Sequence, residues 1–544
     1  MKLWGAAVLS AALMELPFPL AGPMSPWRSA FAWFGLVPLL CAVLNSATID
    51  HRHPLRRAFL LAYPCGVLWY IGNCYWVRDT MLRYGDMPTA APTLLLIAFS
   101  LVLGLYFGLF GLGLMLVRQA TGKSHLALIA APFLWVALDL ASARITSVPW
   151  DQLGYSQVDN AFVNQLAPLT GVYGITFLLV AVNALIGAGF VIAGKRIRPL
   201  ASGFLLLLIG FSGIIHQPPR PLASATAVLI QPNLDVGGDN DWSGPGQWDQ
   251  HIADFKRLAS ESAAANKTYI AGIPQTGAPL GKIIPPPYPS HPDLVVWPEA
   301  PAPFSDTDPR FKESMASIAQ SDQAPLIVGG IGVSDRFFAK DTVDYYNSAM
   351  VIAPDGNFIG RYDKIHLVPF GEYVPFQQYL TFARKLTGRV SAFSRGQSRG
   401  VFRLNGHHYG VFICYEAVFA DEVRHFAQLG AEVLVNISDD GWYGDTSAPW
   451  QHLNMARMRA IENHRWLLRD TNNGVTAAID PYGRVRQSIP RHQADALPAQ
   501  YGFRNDVTFY TAHGDVFAWI CTLISIATLL WSVKQKIKQS AQPS

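Results

Sequence analysis

"YGVFICYEAVFADEVR", residues 409–424, is the stretch on which the fold of this chain turns. Its first half is a β-branched and aromatic run with the composition of a buried strand, and from about residue 418 apolar positions recur at helical spacing. Cys414 falls at the seam, near the end of the strand and ahead of the helix. A strand that runs into a helix is the unit of an α/β domain, where chemistry-bearing groups collect at the carboxyl ends of strands. The other four cysteines, Cys41, Cys65, Cys74 and Cys521, lie in or beside long apolar stretches, so Cys414 has no disulfide partner in its own domain. Two readings are open at this point: a small buried hydrophobe, or a nucleophile.

Outward from this stretch the same grammar repeats. "TAVLIQPN" (226–233), "DLVVWPE" (293–299), "APLIVGGIG" (324–332), "SAMVIAPDG" (348–356), "EVLVNISDD" (432–440) and "NGVTAAIDPYG" (473–483) are further apolar runs ending in polar or turn residues. Helical patterns are expected at 249–265, 308–320, 418–429 and 449–468. "APDGNF" and "DPYGRV" predict hairpin turns, with Gly356 and Gly483 at positive φ.

Half of the 544 residues are apolar, and the excess is concentrated at the two ends. Stretches at about 4–21, 29–46, 58–77, 92–117, 126–143, 170–193, 199–216 and 515–533 are long and charge-poor enough to cross a bilayer. The first has the form of a signal peptide as well, but is read as a retained span because many spans follow. Lys2, Arg52, Arg56, Arg57, Arg118, Lys123, Lys195, Arg196, Arg198, Lys534, Lys536 and Lys538 fall on one set of faces. Arg28, Arg78, Arg83 and Arg144 fall on the other. That bias places both termini in the cytoplasm and residues 217–514 outside it. The domains expected are 1–216 with seven spans, 217–514 as an extracytoplasmic α/β domain, and 515–544 with the last span and a tail. The net charge of +4 is absorbed by this topology, and no basic patch interleaved with aromatics suggests nucleic-acid binding.

Three chemically complementary groups stand at or just after strand ends: Glu299, Lys364 and Cys414. A thiol with a reference pKa near 8.5 needs a base or a cation to react at neutral pH. Glu299 can take its proton, Lys364 can stabilise thiolate and oxyanion, and the N–H of Tyr415 is the natural second oxyanion donor. Singly, a strand-end Glu or a loop Lys reads as an ordinary solvated residue; their joint occurrence with the domain's one thiol carries the weight.

"VVWPEA" (295–300), "RYDKIHLVPFGEYVP" (361–375) and "VFICYEAVFADEVR" (411–424) resemble the three signature segments of the nitrilase superfamily. The uninterrupted stretch "NISDDGWYGDTSAPWQHLNMARMRAIENHRWLLRDTNNG" (436–474) and the arrangement of seven spans, a domain and one last span are similar to the apolipoprotein N-acyltransferase family. The resemblance implies an α-β-β-α sandwich and a Glu299–Lys364–Cys414 triad. It implies acyl transfer from the sn-1 ester of a phospholipid, through a Cys414 thioester, to the α-amino group of a diacylglyceryl-modified apolipoprotein. It places the protein in a bacterial inner membrane with the domain on the periplasmic side, and asks for no cofactor or metal. Glu372 and Glu416 match carboxylates expected to position Lys364, with a structural ion-pair network as the plainer role; Tyr415 and Trp248 match pocket-lining positions. Interfacial anchoring is the other reading of Trp248.

Residues 267–292 read as a Pro-rich insertion, and 373–397 as either a membrane-touching arm or an amphipathic loop. The glycines of "GLYFGLFGLGLML" (104–116) suit helix packing in lipid. His452 and His464 lie twelve apart with no metal-ligand pattern. Two rival functions share parts of this reading. A membrane-tethered amidase would use the same triad but needs no eight spans, and a non-enzymatic scaffold would have no reason to keep all three groups.

Overall fold

The computed structural model describes residues 2–46, 53–85, 88, 90–192, 197–216, 218–236, 246–261, 291–300, 304–335, 343–369, 371–373 and 393–540. The Pro-rich segment 267–290 and most of the 373–397 arm lie outside them. Among the described residues five helical stretches are long and apolar enough to cross a bilayer: Pro26–Asn45, Ala90–Thr121, Ser124–Thr146, Val172–Val191 and Val516–Gln539. At the three other places where spans are expected, the helices are Lys2–Glu15, Pro54–Asn73 and Ile197–Ser212. Large apolar side chains cover the outside of this bundle. Leu94, Leu101, Leu105 and Leu109 on one helix and Leu523, Ile526 and Leu530 on another are exposed, a continuous apolar surface of the kind that lipid covers. Inside, Gly104, Gly108 and Gly111 face the helix Pro54–Asn73. A Cβ at Gly111 would stand 2.6 Å from the Ala58 carbonyl oxygen, so these positions set how closely the two helices approach.

The rest of the chain forms two six-stranded sheets. β1 (Ala225–Gln231), β2 (Leu294–Val296), β3 (Leu326–Asp335), β4 (Val343–Ile352) and β5 (Phe358–Asp363) belong to the first. β6 (Val401–Leu404), β7 (His407–Ile413), β8 (Val433–Ser438), β9 (Trp466–Thr471), β10 (Thr476–Ile479) and β11 (Val485–Ile489) form the second, and β12 (Asp495–Tyr501) returns to pair with β1. The orders are β12-β1-β2-β3-β4-β5 and β11-β10-β9-β8-β7-β6. Each sheet is parallel at its centre, β1-β2-β3 and β7-β8-β9, and antiparallel outside it. Alternation along β1 shows the layering. Ala227 and Leu229 join Val411, Val433 and Val435 between the sheets, while Val228 and Ile230 meet Ile252, Phe255 and Met315 in the helix layer. The helices Gln247–Glu261 and Pro309–Asp322 cover the first sheet; Ala420–Gln428 and Ala448–Asn463 lie against the second. The result is the four-layer α-β-β-α sandwich.

The turns at Gly356 and Gly483 adopt φ of +88° and +76° and close the β4–β5 and β10–β11 hairpins as expected. The helix expected at 449–468 is shorter. It stops at Asn463, where His464 turns left-handed at φ +52°, and the remainder becomes β9.

The helix Ala448–Asn463 joins the two halves. Met455, Met458 and Ile461 share one apolar core with the bundle, whereas Leu453, Ala456 and Ala460 pack on the sheet. Gln451 Nε2 donates to the carbonyl oxygens of Pro19 (3.2 Å) and Asn73 (3.1 Å) and to Asn73 Oδ1 (2.9 Å). Its Oε1 accepts from Trp150 Nε1 (2.9 Å). Glu462 accepts the N–H of Val172 (3.0 Å), which opens the helix Val172–Val191 and has no partner within it.

Candidate active site

Glu299 leaves the end of β2 as Trp297-Pro298-Glu299, with Trp297 stacked on Phe255 at 4.2 Å in the outer layer. The next residue turns at φ +35°, directly over Gly329 of β3; a Cβ there would lie 2.8 Å from Glu299 Cα. Glycine at 329 is therefore what lets the carboxylate reach its place. Lys364 follows β5, its N–H donating to Asn347 O and its carbonyl accepting from Gly396 N, both at 2.9 Å. Cys414 directly follows β7 and opens the 3-10 turn Cys414–Val418 at φ +50°. A non-glycine residue held left-handed costs of order 1–3 kcal/mol, strain that concentrates at functional sites.

These three side chains meet. Lys364 Nζ donates to Glu299 Oε1 and to Glu372 Oε1, each at 2.9 Å, and all three groups are buried. Asn347 Nδ2 donates to the same two oxygens, at 2.7 and 2.6 Å. The second Glu299 oxygen accepts the N–H of Asp439 (2.9 Å), and the Cys414 thiol is near enough to feel the charges of both Glu299 and Lys364. An ammonium has three donors, and the carboxylates take two. Glu416 does not bond the ammonium. It accepts from Ile413 N (2.7 Å), Tyr362 Oη (2.8 Å), Ile365 N (2.7 Å) and His366 N (3.1 Å), which ties the cysteine turn to the segment carrying Lys364. Tyr415 turns its side chain to the bundle, where its hydroxyl donates to Ser147 O (3.1 Å) and its ring lies near Trp150. Trp248 is placed elsewhere, in the outer helix layer, edge-on to Phe304 and under the Arg310 guanidinium.

The electrostatics follow from burial and pairing. Burial pushes the Cys414 thiol well up, the Glu299 charge adds to this, and Lys364 only partly offsets both. Burial works against the Lys364 ammonium, yet Glu299 and Glu372 hold it well above its usual value. Burial also opposes the Glu299 carboxylate, but Lys364, Asn347 and the thiol keep it below the usual carboxylate range. The resting site thus holds a neutral thiol close to an ionised carboxylate and a cation. Asp439 is raised to about 7 by burial and by the neighbouring Glu299.

Residues that the sequence did not announce complete the site. Asn347 is one. The other is a buried chain behind the cysteine: His452 Nε2 meets the Cys414 carbonyl oxygen at 3.0 Å, and its Nδ1 lies 3.0 Å from Asp440 and 3.1 Å from Arg469. Arg469 in turn pairs with Asp440 at 2.8 Å and donates to Asn436. Among the described residues no group of three or more His, Cys, Asp and Glu is arranged to hold a metal ion. The wall next to Tyr415 is aromatic and mostly supplied by the bundle: Trp76 and Trp150 (4.7 Å between rings), with Tyr443 5.2 Å from Trp76.

A family model described as carbon-nitrogen hydrolase matches residues 258–498, and one described as the apolipoprotein N-acyltransferase N-terminal domain matches residues 10–185. Among solved structures, a CN-hydrolase superfamily protein of Xanthomonas campestris is 17% identical with a TM-score of 0.35, covering 52% of this chain and 91% of that one. The apolipoprotein N-acyltransferase of Geobacter metallireducens is 34% identical over 95% of this chain and 92% of its own. That of Vibrio vulnificus is 30% identical over 97% and 96%. With both halves matched and relatives aligned from end to end, the chain belongs to the apolipoprotein N-acyltransferase family.

Proposed function

We propose that the protein transfers an acyl chain from the sn-1 ester of a phospholipid to the α-amino group of a diacylglyceryl-modified apolipoprotein, in two steps through a thioester on Cys414. In the first, Glu299 accepts the thiol proton as Sγ bonds to the acyl carbon. The oxyanion is met by Lys364 Nζ and by the N–H of Tyr415, which lies in the first turn of a helix, where N–H groups lack intrahelical partners. Collapse breaks the ester C–O bond, and Glu299 returns the proton to the departing lysophospholipid. In the second, the amine attacks the thioester, its proton passes to Glu299, the C–S bond breaks, and the thiolate recovers the proton. Glu372 holds the ammonium, and Glu416 holds the two active segments together.

The topology proposed is eight spans in a bacterial inner membrane, with both termini in the cytoplasm. Residues 217–514 lie on the periplasmic side, between a membrane domain of residues 1–216 and a last span within 515–544. The loop-charge bias supports it. The observation that carries the reading is the convergence of thiol, carboxylate and ammonium beside an aromatic wall lent by the membrane bundle. Mass spectrometry after incubation with phospholipid alone tests it: an acyl mass on the peptide containing Cys414 is expected, and lost in Cys414→Ser. An unlabelled Cys414 in enzyme that turns over would replace the two-step route with direct transfer.

A further inference from the structure

The buried chain behind the nucleophile has no part in the chemistry above. His452 is fully buried on the helix Ala448–Asn463, and its Nε2 faces the carbonyl oxygen of Cys414 at 3.0 Å. A carbonyl only accepts, so Nε2 carries the proton. The ring is held from behind by Arg469, whose Nη2 lies 3.1 Å from Nδ1 and also pairs with Asp440. Asp440 Oδ1, 3.0 Å from Nδ1, favours the charged ring, but burial, with Arg469 second, keeps the imidazole below its usual range.

The carbonyl of Cys414 and the N–H of Tyr415 are opposite ends of one planar peptide group, so fixing one fixes the direction of the other. Drawing density toward the carbonyl end also strengthens the N–H as a donor. The neighbouring residue, Gln451, ties the same helix turn to Pro19, Asn73 and Trp150 of the bundle. We infer that His452 is a positioning residue for acyl transfer: it pins the Cys414–Tyr415 peptide so that the Tyr415 N–H points where the oxyanion forms. The membrane bundle, through Gln451, sets the height of that pin.

This inference rests on the proposed roles of Cys414 and Tyr415, and its test separates the two. Acylation of Cys414 passes through an oxyanion, whereas alkylation by iodoacetamide is a displacement at carbon that forms none. Both rates are measured on the full-length protein in detergent, for His452→Gln, which keeps a donor near the Nε2 position, and His452→Met, which has the same shape and no donor. The Met variant is expected to lose about 30- to 300-fold in acyl-enzyme formation, somewhat less than outright deletion of an oxyanion donor. Its alkylation rate should stay within about threefold of the parent, and Gln should restore most of the acylation. Equal loss of both rates, or acylation unchanged in the Met variant, overturns the inference. Should the Met variant not fold, His452→Asn, one methylene too short to reach the carbonyl, replaces it in the same comparison. An absence of acyl mass on Cys414 in the parent protein would instead overturn the thioester reading itself.

Discussion

Two helices cover outer faces of the sandwich in different ways. In Pro309–Asp322 the buried residues are Phe311, Met315, Ile318 and Ala319, a single stripe at helical spacing, and the rest is exposed or half-buried. In Ala448–Asn463 every residue except Trp450 and Asn454 is buried, including Gln451, His452, Arg457, Arg459 and Glu462. Polar side chains at such depth cost free energy unless they are paired. Here they are: Arg459 with Glu462 and Tyr155, Arg457 with Asp159, Gln451 with three parts of the bundle. The first helix closes a core; the second is an internal joint between sandwich and bundle, and Cys414, the proposed nucleophile, lies on the joint's side.

That contrast can be broken or sharpened by measurement. The largest effect is expected at the cation beside the joint. Lys364→Met leaves Glu299 and Glu372 without their counter-ion and the oxyanion without its charged donor, and should cut acyl-enzyme formation by about 10⁴-fold. Lys364→Arg should not restore it, because a planar fork does not replace a compact ammonium. A loss under tenfold would remove Lys364 from the chemistry. Next, Arg459→Leu strands the buried Glu462, already pushed up to about 7 by burial, and should cost about 3–5 kcal/mol, read as a lowered thermal midpoint in detergent.

A smaller effect is a separation of two pH profiles. Because the thiol is raised, alkylation of Cys414 should keep climbing with pH beyond the ordinary value of about 8.5. Because Glu299 is lowered, its base form persists as pH falls, so acylation should hold down through the usual Glu value of about 4.3 before it fails. An alkylation plateau below pH 8.5 would contradict the buried, neutral thiol. The smallest effect belongs to the other helix: Arg310→Ala, at a solvent-facing position, should leave midpoint and turnover unchanged, and a clear loss would erase the contrast.

Glu299, Lys364 and Cys414, the proposed triad, were legible as candidates because each stands at or just after a strand end, where the change from apolar run to polar residue marks the place. The hairpin turns were legible through Gly356 and Gly483, although the strands they lead into, β5 and β11, carry Arg361 and Arg486 and do not read as apolar runs. β12 contains Pro498, which only an edge strand tolerates, and it lies at the edge of its sheet. The overlong helix at 449–468 arose because "RWLLRD" continues a helical pattern that is broken by the backbone turn at His464. Nothing local distinguishes His452 from a core histidine. Its meaning depends on a carbonyl 38 positions earlier in the chain, a relation set by the parallel pairing of β7, β8 and β9.

The fully buried helix also bears on whether this catalytic unit can exist as a free-standing hydrolase. Cutting the sandwich from its bundle would present water with Met455, Met458 and Ile461 side by side with Arg457 without Asp159, Arg459 without Tyr155 and Glu462 without the Val172 N–H. A soluble descendant would therefore have to redesign that surface wholesale before it gained anything, which makes emancipation from the lipid phase a many-mutation path.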